Sequence, residues 1–120
     1  MDQNNHALAV EAEIFCRLAA AVRNNIHEAS LRITDHFRGL YLKGRLSLNH
    51  LEATMQALPP GLAELMVHPG RVPAGEASGP FSSFSHRERE KELEVLKDSN
   101  FRAMLEKYHI QLTCFPEVYS

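Results

Sequence analysis

The chain has no tryptophan, only two cysteines and only three aspartates, Asp2, Asp35 and Asp98. It has no Asp-Asp pair, no Gly-rich phosphate cradle, no paired cysteines and no His-x-x-x-His spacing. These gaps exclude the common zinc, redox and nucleotide-binding signatures. Charge of one sign is not in excess either. The formal net charge is -2, and the densest basic stretch, His86 to Lys97, alternates Arg and Lys with Glu. Such a chain has no global field to draw in nucleic acid or an anionic membrane. No stretch approaches the roughly 20 apolar residues that span a bilayer. The polar start, Met1 to His6, has no signal-peptide pattern. Cys16 and Cys114 are far apart among apolar neighbours, which reads as buried free thiols suited to a reducing cytoplasm.

What is present is the balance of a globular protein: 120 residues, 44% hydrophobic and 23% charged. That length suits one compact domain with a small core and is too short for two. Residues 7–28 place Ile14, Leu18, Val22 and Ile26 at every fourth position, one apolar stripe on a helix. Ser30-Leu31-Arg32-Ile33-Thr34 alternates with β-branched residues and predicts a strand, followed by a polar turn from Asp35 to Gly39. Ser47 caps a helix with the stripe Leu48, Leu51, Met55 and Leu58, stopped by Pro59-Pro60-Gly61. Residues 62–67 form a short apolar run bounded by Pro and Gly, which predicts a second strand.

Residues 71–84 are rich in Gly, Pro and Ser and read as a long loop, of the kind that is usually functional or disordered. Ser85 and Glu88 then make a capping box for a helix to Lys97. Asp98-Ser99-Asn100 recaps a further helix with the stripe Phe101, Leu105 and Tyr108, and residues 110–115 predict a third strand. Helices alternating with strands imply an α/β fold with a parallel sheet. Three strands are few for a sheet that needs both faces covered, so residues 1–120 read as a single partial α/β domain, a portion of a larger layer or barrel.

In parallel α/β folds, ligands lie beyond the C-terminal ends of the strands. Two predicted strand ends carry able residues, Asp35 and His68, and parallel neighbours would bring them out on one rim. An imidazole titrates near neutrality, so His68 suits a proton donor to a leaving amine or alcohol, with Pro69-Gly70 turning the chain away from it. A histidine capping a strand by a backbone bond is the alternative. Asp35 suits orienting His68, binding a sugar hydroxyl or ligating a metal, against a turn aspartate that bonds nearby backbone. Glu64 reads as facing a helix that bears Arg or Lys, since an unpaired buried carboxylate is costly. His36 reads as solvent or loop, and His27, His50, His86 and His109 as structural or solvated. The run Arg87 to Glu92 reads as an exposed helix face.

Thr34-Asp35-His36-Phe37-Arg38-Gly39-Leu40, then Gly61-Leu62-Ala63-Glu64-Leu65-Met66-Val67-His68-Pro69-Gly70, then Arg87-Glu88-Arg89-Glu90 with Leu93 and Leu96, then Tyr108-His109-Ile110-Gln111-Leu112, follow in order. Over about Ser30 to Phe115 they resemble the C-terminal half of YdjC/ChbG-type carbohydrate deacetylases, close to the hopanoid-biosynthesis-associated, HpnK-like branch. The string Glu-Leu-Met-x-His-Pro-Gly is the most specific part. The resemblance implies a distorted (β/α) barrel and a divalent-metal-dependent hydrolase, using Mg or Zn, that removes acetyl groups from N-acetylated sugars. It implies His68 as the acid or an active-site polar contact, and Asp35 as an orienting or substrate-binding residue.

The chain departs from that family's pattern at the metal. The family's Asn-Ala-Asp-Asp-Phe-Gly motif and its Asp-x-His-x-His motif are both missing, and Asp2 to His6 only echoes the second. No metal ligand is assigned. Two readings follow: a deacetylase piece completed by an N-terminal half, or a non-catalytic α/β module that self-associates or binds a sugar or protein partner.

Overall fold

The computed structural model describes residues 3–71 and 86–119, and the long Gly/Pro/Ser segment and the Ser85 cap lie outside these. In chain order the elements are α1 (Gln3–Glu28), β1 (His36–Arg38), a 3-10 turn (Leu40–Leu42), α2 (Leu48–Gln56), β2 (Ala63–Leu65), α3 (His86–Lys97), α4 (Ser99–Lys107) and α5 (Phe115–Tyr119). The described chain is thus a mixed α/β structure. No described helix is long and apolar enough to cross a membrane.

The two strands pair in parallel, with His36 opposite Ala63, Phe37 opposite Glu64 and Arg38 opposite Leu65. The expected second strand is where the sequence puts it. The first is displaced: residues 31–34 are not a strand, and the pairing segment begins in what reads as a polar turn. Pairing decides here, because the Asp35 and His36 amides both donate to Leu62 O and the Met66 amide donates to Arg38 O. The third expected strand does not form. The Ile110 amide bonds back to Leu105 O, closing α4 with His109 in the left-handed region, and residues 111–114 continue exposed and without ladder partners. Phe115 begins a short helix instead.

Two helix starts follow the sequence, whereas α1 begins at Gln3 rather than near Ala7. Ser47 Oγ accepts from the His50 amide at 3.2 Å, and Asp98 Oδ1 accepts from the Asn100 amide at 2.8 Å. The His50 ring, 2.6 Å from Arg45 O through Nδ1, is structural as expected. Among the described residues Leu46, Leu51, Met55 and Leu105 are the buried apolar side chains, and α2 packs on α4, which packs on α3. A polar bridge from Glu52 to Lys107 and Tyr108 reinforces the first of these contacts.

Two surfaces differ from the sequence reading. Cys16 and Cys114 are both exposed rather than buried: Cys16 lies on α1, and the strand expected around Cys114 does not form. Most of the stripe of α1 is open: Ile14, Leu18 and Val22, with Val10 before them, are 52%, 59%, 45% and 42% accessible, while Ile26 is half-buried. This helix contacts chiefly the Leu40–Leu42 turn.

Candidate functional site

The two ends of the sheet have different chemistry. At the entry end, Asp35 Oδ2 accepts from the Leu62 amide at 2.8 Å. The carboxylate lies over Gly61, whose φ is 129° and where an added Cβ would stand 2.8 Å from Oδ2. Glycine is required there both by conformation and by space. The His36 ring lies at the same end, with Nε2 3.1 Å from Pro60 O. It is half-buried and tied to the turn, and so is neither the loop nor the solvent residue that its polar setting suggests.

At the exit end, β2 runs on through Met66 and Val67 to His68. The His68 amide donates to Glu92 Oε2, and the Gly70 amide donates to Arg89 O at 3.1 Å. Both partners belong to α3, which therefore fixes the course of the exit segment. The bend from β1 into the 3-10 turn is set by Gly39, at φ 116°, where a Cβ would lie 2.3 Å from Met66 O. Glycine permits that approach, and the approach brings β1 against the root of the His68 segment.

This geometry corrects the expectation of a shared rim. Asp35 is level with Leu62, and His68 lies six residues beyond it, about 20 Å of extended chain. Asp35 therefore sits at the entry end and His68 at the exit end, and Asp35 does not orient His68. The turn aspartate bonded to backbone describes Asp35 as found. The His68 side chain is 27% exposed, so the ring is partly sheltered and still reaches solvent.

Glu92 was hidden in the charge run. The run as a whole is not an exposed face, because Glu92 is 3% exposed and is the buried charged residue among those described. A usable signal was its spacing. Glu92 precedes Val95 and Leu96 by three and four positions, so it shares the apolar face of α3. A carboxylate on that face needs a donor. The His68 amide is that donor, and His68 Nδ1 lies 4.0 Å from the same oxygen.

Glu64 is half-buried on the wall of a groove of 840 Å³ between the sheet, α2 and α4. The basic residue expected on a facing helix is not there: among the described residues Glu64 makes no ion pair. The groove wall is mostly apolar, with Leu51, Met55, Leu62, Leu65, Val67 and Leu105 prominent, and includes neither His68 nor Asp35.

The class that emerges is an α/β protein with a histidine delivered at the exit of a parallel strand and anchored by a helix-borne carboxylate. The model of the YdjC-like protein family matches residues 2–107, and the chain belongs to that family. The match takes in α1 and the motifs from Thr34 to Leu96, and it stops short of Tyr108-His109-Ile110-Gln111-Leu112. No curated protein matches the chain, and no solved structure does.

Among the described residues no group of three or more His, Cys, Asp or Glu side chains could hold a metal ion. Glu92 is committed to the His68 amide and Asp35 to Leu62 at the opposite end. The described residues therefore do not fit the Mg or Zn that the family resemblance implies, and no step below is derived through a metal.

Proposed function

We propose that this chain is a carbohydrate deacetylase-like protein of the YdjC-like family, with His68 as the acid that protonates the departing amine of an N-acetylated sugar. One observation carries the reading. His68 leaves the C-terminal end of a parallel strand, the place where α/β folds bind ligands, and its backbone is pinned by a buried carboxylate. Family membership supports the substrate class. The chain corresponds in this proposal to the C-terminal half of a distorted (β/α) barrel of the HpnK-like branch. The paired parallel strands, each followed by a helix, support that reading. The ligands for Mg or Zn, and the base that takes the proton of water, would come from a complementing N-terminal half. The contact with sugar expected of Asp35 is replaced in this proposal by a scaffold role at the entry turn. Two exposed, unpaired thiols suit a reducing compartment, and we place the chain in the cytoplasm on that basis.

The test is acetate release from N-acetylglucosamine oligomers, with and without added Mg or Zn and with a co-expressed family N-terminal half. Activity that His68→Ala lowers by about 100-fold or more supports the acid role. Activity that His68→Ala leaves unchanged ends it.

A second reading, a non-catalytic module that self-associates, is favoured by the open stripe of α1. Two copies crossing antiparallel about Leu18 would set Ile14 against Val22, Val10 against Ile26 and Glu13 against Arg23. Sedimentation of the full chain and of Leu18→Glu tests the self-association, which either reading allows, and acetate release decides between the readings. A dimer that this change weakens by tenfold or more supports association through α1, and a monomer at all concentrations excludes it.

A further inference from the structure

We propose that Glu92 is the positioning residue of His68: its buried carboxylate holds the backbone at the strand exit and faces ring Nδ1, so that the transferable proton leaves from Nε2. This deepens the proposal that His68 is the acid and rests on it.

A carboxylate that is 3% exposed gives up its water, and a single backbone amide returns only part of the lost solvation. A glutamine would accept the same amide bond without burying a charge. A charge kept in such a place is explained by a group that responds to it. The His68 ring is that group, with Nδ1 4.0 Å from the oxygen that takes the amide. This separation is too long for a hydrogen bond, but it is within ion-pair range. Catalytic contacts that are long in the free protein tighten in many substrate complexes.

A negative charge on the Nδ1 side favours a proton on Nδ1, and the nitrogen so occupied decides what the other can do. In the imidazolium both nitrogens carry protons. As the acetamide C–N bond breaks, its electron pair stays on nitrogen, which takes the proton from Nε2. Water supplies the hydroxyl that ends on acetate. His68 is left neutral with its remaining proton on Nδ1, facing Glu92, so the carboxylate favours the product tautomer. Among the described residues, Arg89 on α3, whose side chain lies beside Gly70, and Arg71, next in sequence, are charged groups that flank this segment. Glu92, unlike these, is buried.

The test is the tautomer of His68 in the full chain, read from two-bond proton–nitrogen spectra at a pH where imidazole is neutral. The expected result is the Nδ1–H form in the wild type. Glu92→Gln keeps an oxygen for the His68 amide and removes the charge. It should move the ratio toward Nε2–H by on the order of tenfold while the His68 amide stays protected from exchange. A wild type in the Nε2–H form overturns the proposal without any variant, and so does a ratio unchanged in Glu92→Gln. Acetate release is scored separately. The expected tautomer without activity fails the enzyme reading alone, and activity lost in His68→Ala with an unmoved tautomer fails the positioning role alone.

Discussion

Lys107 Nζ lies 2.7 Å from Glu52 Oε1, and the Tyr108 hydroxyl donates to that same oxygen at 2.8 Å. Gln56 Nε2 donates in turn to the Tyr108 hydroxyl at 2.8 Å. One carboxylate oxygen on α2 therefore receives two donors from the end of α4, and the contact between the helices has a polar clasp beside its apolar core.

That clasp makes the stability of the α2–α4 contact depend on pH. Hydrogen bonds from Lys107 and Tyr108, with the Lys107 charge, hold the Glu52 carboxyl below its ordinary value of 4.5. The hydrogen bonds to Glu52 and Tyr108 hold Lys107 above its ordinary 10.5. A lowered acid contributes fully above its unfolded value and is lost as pH falls through the folded one. A raised base contributes fully below its unfolded value and is lost as pH rises through the folded one. The clasp is thus complete between about pH 4.5 and 10.5. The difference in Tm between wild type and Lys107→Met should be greatest inside this window, vanish in acid and shrink in high salt.

Leu51 is 1% exposed and lies at the centre of the small core. Leu51→Ala should cost about 2–5 kcal/mol in urea unfolding. Leu112→Ala, at a side chain 69% exposed, should stay within about 0.5 kcal/mol. Equal effects at the two positions would contradict the packing described.

Gly39→Ala puts a methyl group against Met66 O in a backbone region that alanine avoids. The expected loss is at least about 1–2 kcal/mol, because conformation and contact both oppose it. Amide exchange should quicken at Met66 and His68, since β1 would withdraw from the exit segment.

Both thiols should react in the folded protein. Cys16 and Cys114 are exposed, so a thiol-reactive dye should titrate both before unfolding, without the delay that burial imposes. Reaction of only one, or of neither, would show that the corresponding face is covered in solution.

Much of the local structure was legible because it depends on neighbours in sequence. Ser47 and Asp98 announce helix starts through side chains that reach two or three residues ahead. Pro59-Pro60-Gly61 announces a stop for steric reasons that need no tertiary contact. The strands were less legible because a strand is made by its partner. Residues 31–34 have the better strand composition, yet His36, Phe37 and Arg38 are the residues with a ladder to join. Residues 110–115 have the composition and no ladder partner among the described residues. The candidate site divides in the same way. His68 was visible from its place before Pro69-Gly70, whereas Glu92 looked like one more charge in an alternating run. Its burial comes from the packing of α3 on the exit segment, which composition does not state.

The two carboxylates that bracket β2 have a joint consequence. Asp35 grips the chain at Leu62 and Glu92 grips it at His68, each through a backbone amide and each from a different element. Between the grips the number of residues is fixed. Sliding β2 by one position would release both amides at once and turn every intervening side chain to the opposite face. The segment between them is therefore a ruler of set length, intolerant of a single insertion or deletion while open to changes of side chain. The location of the imidazole at its far end is measured from the first mark.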